Sequence, residues 1–304
     1  MHTGLAAGLA VALLALAGCG ADDPGTTATS ASPSASSSAP TATTSAPSPT
    51  TSTPAPTTAK PKPKPKPKPS KATSTTSTSP TALAPVPAKG AQPTVRFPKN
   101  QPAQGGGANA QVSAIPDSVW QRMVGYSWTK GCPVGRSGLR YVTVNFWGFD
   151  GKRSRGAIVV NKNVASATAR AFTRLYEQQF RIRQMRPMDS TWGKNPKGPG
   201  ANDYAAMDAD NTSAFNCRYV GGEEERKQYS NHAYGSAIDV NDFENPYIAD
   251  GGTIYPDAYY AHRRSPAPGV FSSSSSAAVR AFTREGMTWG GRWSHPDYQH
   301  FDAR

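Results

Sequence analysis

A segment of 87 residues, 21–107, has almost no large apolar side chains. Residues 21–107 consist mainly of Ser, Thr, Ala and Pro, and such a segment cannot bury enough apolar surface to offset its loss of conformational entropy. A packed core is therefore excluded from this region. Acidic residues are also few, at 20 against 33 Lys and Arg, and the whole chain contains only 3 cysteines.

The apolar run near the N-terminus, from Leu5 to Gly18, is too short for a membrane span and has the layout of an export signal. It ends in Leu16-Ala17-Gly18-Cys19, which resembles the lipobox of bacterial lipoproteins. That resemblance implies a signal peptide over residues 1–19 and acylation of Cys19. The mature protein would then be anchored by lipid on the extracellular face of the bacterial membrane, next to the cell wall. Ordinary secretion with cleavage near Gly18 is the alternative.

Residues 20–112 are expected to form a disordered tether between this anchor and a folded domain. Within it, Lys60 to Pro69 alternates Lys and Pro five times. This alternation favours an extended polyproline II conformation, which charge repulsion stiffens further. At about 3.1 Å per residue, the fully extended tether would reach on the order of 250 Å.

Slightly more than half of the net charge of +13 lies in the tether. Residues 20–111 contain nine Lys or Arg against two Asp, whereas residues 112–304 contain 24 against 18. An exported chain seldom meets nucleic acid, so we expect no nucleic-acid partner. The location of the charge instead predicts that the tether adheres to anionic cell-wall polymers or lipid headgroups.

The cysteines other than Cys19 form one possible pair, Cys132 and Cys217. An even number of cysteines in an oxidising compartment favours a disulfide. Such a bond would close a loop of 85 residues, for which the chain-entropy model gives a stabilisation of about 4.5 kcal/mol. Two separate buried thiols are the alternative.

The remaining residues, 113–304, are predicted to form one α+β domain, because about 190 residues can bury a substantial core. Periodicity and turn residues predict a short helix near Val119–Val124, a hairpin of strands Leu139–Phe149 and Gly156–Val160, a helix Val164–Phe180 capped by Asn163, a strand near Ile182–Met188, and a helix Ala277–Arg284. Residues 189–211 are predicted to be a functional loop that is too polar for the core.

Two short segments contain the residue types that bind a catalytic metal. His232 and Asp239 are seven residues apart, and on a continuous strand this odd spacing would place them on opposite faces. We predict that Gly235 interrupts the strand, so that Asp239 turns back toward His232 while Ile238 and Val240 face the core.

The second segment adds His300 and Asp297. Catalytic zinc needs three protein ligands and an open fourth position for water, and two histidines with one aspartate meet that need. Hydrolysis also needs a carboxylate near the water that does not bind the metal. Asp297, three residues before His300, is the candidate.

These segments resemble the motifs of the D-alanyl-D-alanine carboxypeptidase family of zinc peptidases, which includes VanY-type enzymes and phage L-alanyl-D-glutamate endopeptidases. Ser-x-His-x-x-Gly-x-Ala-x-Asp is matched from Ser230 to Asp239, and Asp-x-x-His-Phe from Asp297 to Phe301. Carried over by position, the resemblance makes His232, Asp239 and His300 the Zn²⁺ ligands and Asp297 the general base. It also implies a hedgehog/DD-peptidase-like fold, in which a small antiparallel sheet with flanking helices holds the zinc site in a cleft.

The segment from Asn211 to Arg218 resembles the stretch of this family that bears a substrate-side arginine. Arg218 could stabilise the scissile carbonyl oxygen as it becomes anionic, or bind a substrate carboxylate with its forked donors. A plain salt-bridge role is the alternative. Ser230 is also assigned to the substrate side, where we expect it to support the His232 loop through a local hydrogen bond.

The resemblance implies a zinc-dependent peptidoglycan peptidase that acts on stem peptides as a D-alanyl-D-alanine carboxypeptidase. Two alternatives stay open at this point. One is an endopeptidase that cuts an L-alanyl-D-glutamate bond or a cross-bridge, and the other is a wall-binding lipoprotein without catalytic activity.

Overall fold

The computed structural model describes residues 82–86, 93, 98–262 and 265–303. The predicted signal peptide, Cys19 and the Lys-Pro repeat lie outside the described residues. Among the residues that are described, no helix is long and apolar enough to cross a membrane.

The described chain combines short helices with small sheets, as the predicted α+β class requires. The helices are α1 Asp117–Met123, α2 Ala165–Glu177, α3 Asp203–Asp208 and α4 Ala277–Thr283. The strands are β1 Gln101–Pro102, β2 Gln111–Ser113, β3 Leu139–Trp147, β4 Arg153–Asn161, β5 Gln184–Met185, β6 Asn211–Thr212, β7 Ala237–Asp239, β8 Tyr247–Ile248, β9 Ile254–Tyr255, β10 Met287–Trp289 and β11 His300–Ala303.

The largest sheet has the strand order β1-β4-β3-β2, and all its pairings are antiparallel. Its centre is the β3–β4 hairpin that the sequence predicts. Alternate residues of the hairpin, such as Val142, Val144 and Ile158, point into the main core, as the two-residue period of a strand requires. Helix α2 covers this face with Phe172 and Leu175.

Order begins earlier in the chain than the sequence predicts, within the segment assigned to the tether. Strand β1 pairs with β4, and β2 pairs with β3. The buried Asn145 side chain connects this segment to the hairpin, because its Nδ2 donates to Gln104 O at 2.7 Å and to Gly107 O at 2.9 Å. The apolar pattern could not reveal this attachment, since it depends on hydrogen bonds.

Two local predictions are wrong because side-chain amides compete for the backbone. Asn163 does not cap α2: Val164 occupies the N-cap position, with no side-chain cap, and Asn163 N instead donates to Asn161 Oδ1. The strand predicted near Ile182–Met188 is reduced to β5, which pairs in parallel with β6. Beyond β5, Arg186 N donates to the side chain of Asn211, which ends the ladder.

Residues 189–211 are not the polar loop that the sequence predicts. They contain α3, whose N-cap Asn202 accepts a hydrogen bond from Ala205 N. They also contribute Trp192 and several alanines to a small buried cluster with Met188. The apolar side chains are spaced too widely here to produce a periodic signal, which explains the wrong prediction.

A second sheet, of order β10-β11-β7, carries the candidate site. Phe301 of β11 lies opposite Ile238 of β7, and both are buried in the main core together with Phe282 of α4. The predicted burial of Ile238 and Val240 is confirmed. The predicted Cys132–Cys217 disulfide is also present.

Candidate metal centre

His232 lies in a short 3₁₀ helix, Asn231–Tyr234, rather than on a strand. Ser230 caps this helix, because its Oγ accepts a hydrogen bond from His232 N at 3.3 Å. This is the local support predicted for Ser230.

Gly235 ends the 3₁₀ helix in the left-handed region, with φ of 68°. Its carbonyl accepts a hydrogen bond from Asn161 N at 2.8 Å, and a Cβ at this position would lie only 2.7 Å from the same nitrogen. A side chain is therefore excluded here by both conformation and space. The predicted turn at Gly235 is confirmed.

Asp239 and His300 meet through the register of the second sheet. They are directly opposed on the antiparallel strands β7 and β11, so their side chains project from the same face. His300 Nδ1 lies 2.9 Å from Asp239 Oδ1, and His232 Nε2 lies 3.0 Å from Asp239 Oδ2. The two ring nitrogens are 3.3 Å apart. All three residues are buried, with ligand atoms within 4.8 Å of one another.

The outer nitrogen of each histidine faces an oxygen acceptor. His232 Nδ1 lies 2.7 Å from Ala214 O, and His300 Nε2 lies 2.9 Å from Asp302 Oδ1. If the outer nitrogens donate to these oxygens, the inner nitrogens of the neutral rings present lone pairs to Asp239.

Two lone pairs that face a carboxylate repel it unless a cation, either a proton or a metal ion, lies between them. Nitrogen and carboxylate donors of this kind are the ligands of catalytic zinc, and outer acceptors of this kind orient histidine ligands. His232, Asp239 and His300 therefore fit a zinc ion.

The carboxylates around His300 set its affinity for protons. Burial lowers the pKa of His300, but hydrogen bonds to Asp239 and Asp302 outweigh burial, and the pKa lies well above its usual value. Burial raises the pKa of Asp239, yet the neighbouring histidines bring this pKa well below the usual range. Asp239 is thus ionised, and a proton competes with a metal ion for His300 Nδ1.

Asp297 lines the same cleft but is not one of the three clustered ligands. Its backbone N–H donates to Gly290 O at 3.2 Å, and it forms a β-bridge with Tyr247. A Cβ on Gly290 would lie 2.7 Å from Asp297 O, so the close approach depends on this glycine.

The carboxyl group of Asp297 has an unusually high affinity for protons. Burial raises its pKa to about 7; His300, His232 and Arg218 oppose this rise, and the charge of Asp239 adds to it. Its Oδ1 is buried and has no hydrogen-bond partner among the described residues. This oxygen is therefore left unsatisfied at the wall of the cleft.

Arg218 also lines the cleft, and it does form the salt bridge that was the alternative to a substrate role. Its Nη2 lies 2.7 Å from Asp203 Oδ2, and its Nη1 donates to Tyr219 O at 3.1 Å. Its Nε is buried and has no partner in the described part of the chain. The ion pair thus fixes the guanidinium group while one donor stays uncommitted.

The cleft around these groups has a volume of about 620 Å³. Ser230 and several aromatic side chains line it, including Trp293, whose ring centroid lies 5.2 Å from that of His300. Trp293 is one of the few large apolar residues that are exposed. The predicted site residues His232, Asp239, His300, Asp297, Arg218 and Ser230 all border this cleft.

Sequence reasoning missed two residues that orient this site, Asp302 and Asp203. Asp302 follows His300 by two positions on β11, so the alternation of strand side chains could have placed both on one face. Asp203 lies in the region predicted to be a polar loop, and its pairing with Arg218 had no signal in the sequence.

Two histidines and an aspartate at the base of an open cleft, with a separate carboxylate beside them, are the arrangement by which metallopeptidases hydrolyse peptides. Residues 224–303 match the protein family described as D-alanyl-D-alanine carboxypeptidase. The matched segment contains His232, Asp239, His300 and Asp297, and it supports the family resemblance predicted from the motifs and a peptidoglycan-related peptidase. No curated protein and no solved structure gives a significant match.

Proposed function

We propose that this protein is a zinc-dependent peptidase that trims peptidoglycan stem peptides, acting as a D-alanyl-D-alanine carboxypeptidase. The observation that carries the proposal is the convergence of the His232, Asp239 and His300 lone pairs beside Asp297. The family match over the same segment supports a peptidoglycan-related substrate.

His232, Asp239 and His300 would hold the zinc ion. When bound, zinc supplies Lewis acidity, which polarises a carbonyl group and makes water acidic at neutral pH. Asp297 takes a proton from the attacking water and delivers it to the leaving amine as the peptide bond breaks. A carboxyl group whose pKa is about 7 suits both transfers at neutral pH.

Arg218 and the cleft wall would position the substrate. The uncommitted Nε of Arg218 donates to the carbonyl oxygen as that oxygen gains negative charge, and Asp203 keeps the guanidinium in place. The cleft volume of about 620 Å³ lies within the range of ligand sites, about 300–1,000 Å³. Ser230 lies at the wall where a peptide would bind.

We also propose the location that the N-terminal sequence implies. Lipid on Cys19 would hold the protein at the extracellular face of the membrane, and the tether would carry the peptidase domain into the wall. Basic residues of the tether would adhere to anionic polymers there. This proposal rests on the sequence patterns alone.

Digestion of a defined stem pentapeptide ending in D-alanyl-D-alanine tests the function, with products identified by mass. A carboxypeptidase releases free D-alanine, whereas an endopeptidase releases two larger fragments. Activity that a chelator abolishes supports zinc dependence. If the protein binds wall material but cleaves no stem peptide, the catalytic proposal is wrong and a wall-binding role replaces it.

A further inference from the structure

A second groove, on the other face of the largest sheet, is not used by the proposed peptidase chemistry. Alternate residues of the β3–β4 hairpin that point away from the core, including Thr143 and Arg155, line it. Residues 100–104, Arg122 of α1 and Arg186 after β5 also line it. Its volume is about 860 Å³, and it shares no lining residue with the metal cleft.

Arg155 supplies a partly buried positive charge to this groove. Its Nη1 donates to Asn109 O at 2.6 Å and to Asn145 Oδ1 at 3.3 Å, and its Nη2 donates to the hydroxyl of Thr143 and to Gln111 Oε1. All these acceptors are neutral. Burial accordingly lowers the pKa of Arg155, with only the phenol of Tyr141 opposing this.

Arg186 supplies a second charge of the same kind. Its Nη2 donates to the carbonyls of Pro98 and Lys99, and its Nε donates to Gln184 Oε1 at 3.1 Å. Burial lowers its pKa as well, and the charge of Asp189 opposes this only in part.

The groove contains too few carboxylates to balance these charges. Asp189 is the one acidic residue among the lining residues, and it forms its ion pair with Arg122 at 2.9 Å. In the described part of the chain, Arg155 and Arg186 have no carboxylate within ion-pair distance. Partly buried charges without counter-ions are costly, so the groove favours an anion.

We propose that this groove binds an anionic, phosphodiester-linked polymer of polyol or sugar units. The positive charges of Arg155 and Arg186 attract phosphate groups, and among the described residues Arg155 Nε and Arg186 Nη1 have no acceptor. The neutral hydroxyl and amide groups around them match the hydroxyls of a polyol or sugar. The volume far exceeds that of a single phosphate ion. A single-stranded nucleic acid fits this groove less well than a polymer without bases. Proteins bind such nucleic acids by stacking bases on several aromatic side chains, and Tyr141 is the one aromatic residue that lines the groove.

Titration of the full-length mature protein with an oligomer of glycerol phosphate tests this assignment. The variant that combines Arg155→Gln with Arg186→Gln should bind at least about 10-fold more weakly at 0.1 M salt, and its affinity should depend less steeply on salt. The matched control combines Arg280→Gln with Arg284→Gln, which removes two exposed arginines from another region. This control variant should change the dissociation constant less than about 2-fold, because its exposed arginines lie outside the groove. The tether is the same in all variants and cannot cause a difference between them.

A second variant tests the groove without removing Arg155, because Arg155 also supports the sheet and its replacement could disturb the fold. Gln111→Glu with Thr191→Glu adds two negative charges at exposed groove positions and should weaken binding similarly. Equal affinities for the groove and control variants would overturn the proposal. Tighter binding of a single-stranded DNA of equal charge would overturn the polymer class. Stem-peptide cleavage should be unchanged in every variant. A negative result for polymer binding therefore leaves the peptidase proposal untouched, and the reverse also holds.

Discussion

At the scale of single residues, the candidate metal centre depends on acceptors behind its two histidines. Asp302 Oδ1 accepts hydrogen bonds from His300 Nε2 and from Asn231 Nδ2, both at 2.9 Å. The first bond fixes which nitrogen of His300 faces Asp239, and the second fixes Asp302. An acceptor of this kind also raises the basicity of its histidine as a ligand.

Replacement of Asp302 by Ala should weaken zinc binding about 10- to 100-fold, because His300 loses the acceptor that fixes its tautomer. Asp302→Asn keeps an acceptor oxygen and should restore part of the affinity. Competition with a chelating dye measures both dissociation constants. Equal zinc affinities for wild type and Asp302→Ala would refute the orienting role.

Replacement of Asp297 by Asn should separate metal binding from catalysis. The amide cannot accept the proton of water, so kcat/KM for a stem peptide should fall about 10²- to 10⁴-fold. Zinc content should stay unchanged, because Asp297 lies outside the ligand group. Asp208→Asn, at an exposed carboxylate, is the control and should keep full activity. Wild-type turnover in the Asp297 variant would exclude the base role.

The raised pKa of His300 predicts that zinc binding depends on pH. A proton and a zinc ion compete for His300 Nδ1. Zinc affinity should therefore rise with pH until the pH of the medium exceeds the pKa of His300. Below that pKa, each zinc bound should release about one proton from this ring. Calorimetry in two buffers of different ionisation enthalpy measures the release. An affinity that is constant between about pH 6 and pH 8 would contradict the competition.

At the scale of elements, one turn and one strand pairing bring the ligands together. The register of β7 and β11 opposes Asp239 to His300, and the 3₁₀ helix that ends at Gly235 turns His232 toward them. The turn is held against the large sheet by the Asn161–Gly235 hydrogen bond. The site is therefore built where the two sheets are connected.

Gly235→Ala should lower the free energy of unfolding by about 2 kcal/mol or more, because left-handed strain of about 1–2 kcal/mol adds to a clash with Asn161 N. Gly286→Ala is the matched control, since Gly286 also has positive φ, 83°, but has nothing within 4 Å of the added Cβ. Denaturant titration compares the two. A smaller loss for Gly235→Ala than for Gly286→Ala would show that the close contact is unimportant.

Features with a strong local signal could be predicted from the sequence. The β3–β4 hairpin has its apolar alternation, α4 has its apolar face, and the ligands have motif spacing around Gly235. Features that depend on long-range polar contacts could not. The attachment of β1 through Asn145 is one example, and the Arg218–Asp203 pair is another.

At the scale of the whole molecule, the Cys132–Cys217 disulfide joins distant parts of the domain. It closes 85 residues, and its second cysteine directly precedes Arg218. Cys217 is fully buried in a small apolar cluster with Phe215 and Leu139. The bond thus anchors the segment that carries the cleft arginine.

Cys132→Ala should lower the free energy of unfolding by about 2–4 kcal/mol, because the unfolded chain regains the entropy of an open loop. The same loss should follow when wild type is treated with a reductant, and the reductant should not affect the variant further. Urea unfolding under both conditions measures these differences. Equal stability of oxidised wild type and variant would show that the bond adds nothing.

His232, Asp239 and His300 are proposed to hold the zinc ion on which peptide hydrolysis depends. The most direct measurement is the zinc content and stem-peptide hydrolysis of the purified protein before chelation, after chelation and after zinc is restored. We predict about one zinc per chain, loss of hydrolysis on chelation, and recovery with zinc in wild type but not in His300→Ala. Hydrolysis that persists without zinc would show that these three residues do not hold a catalytic metal.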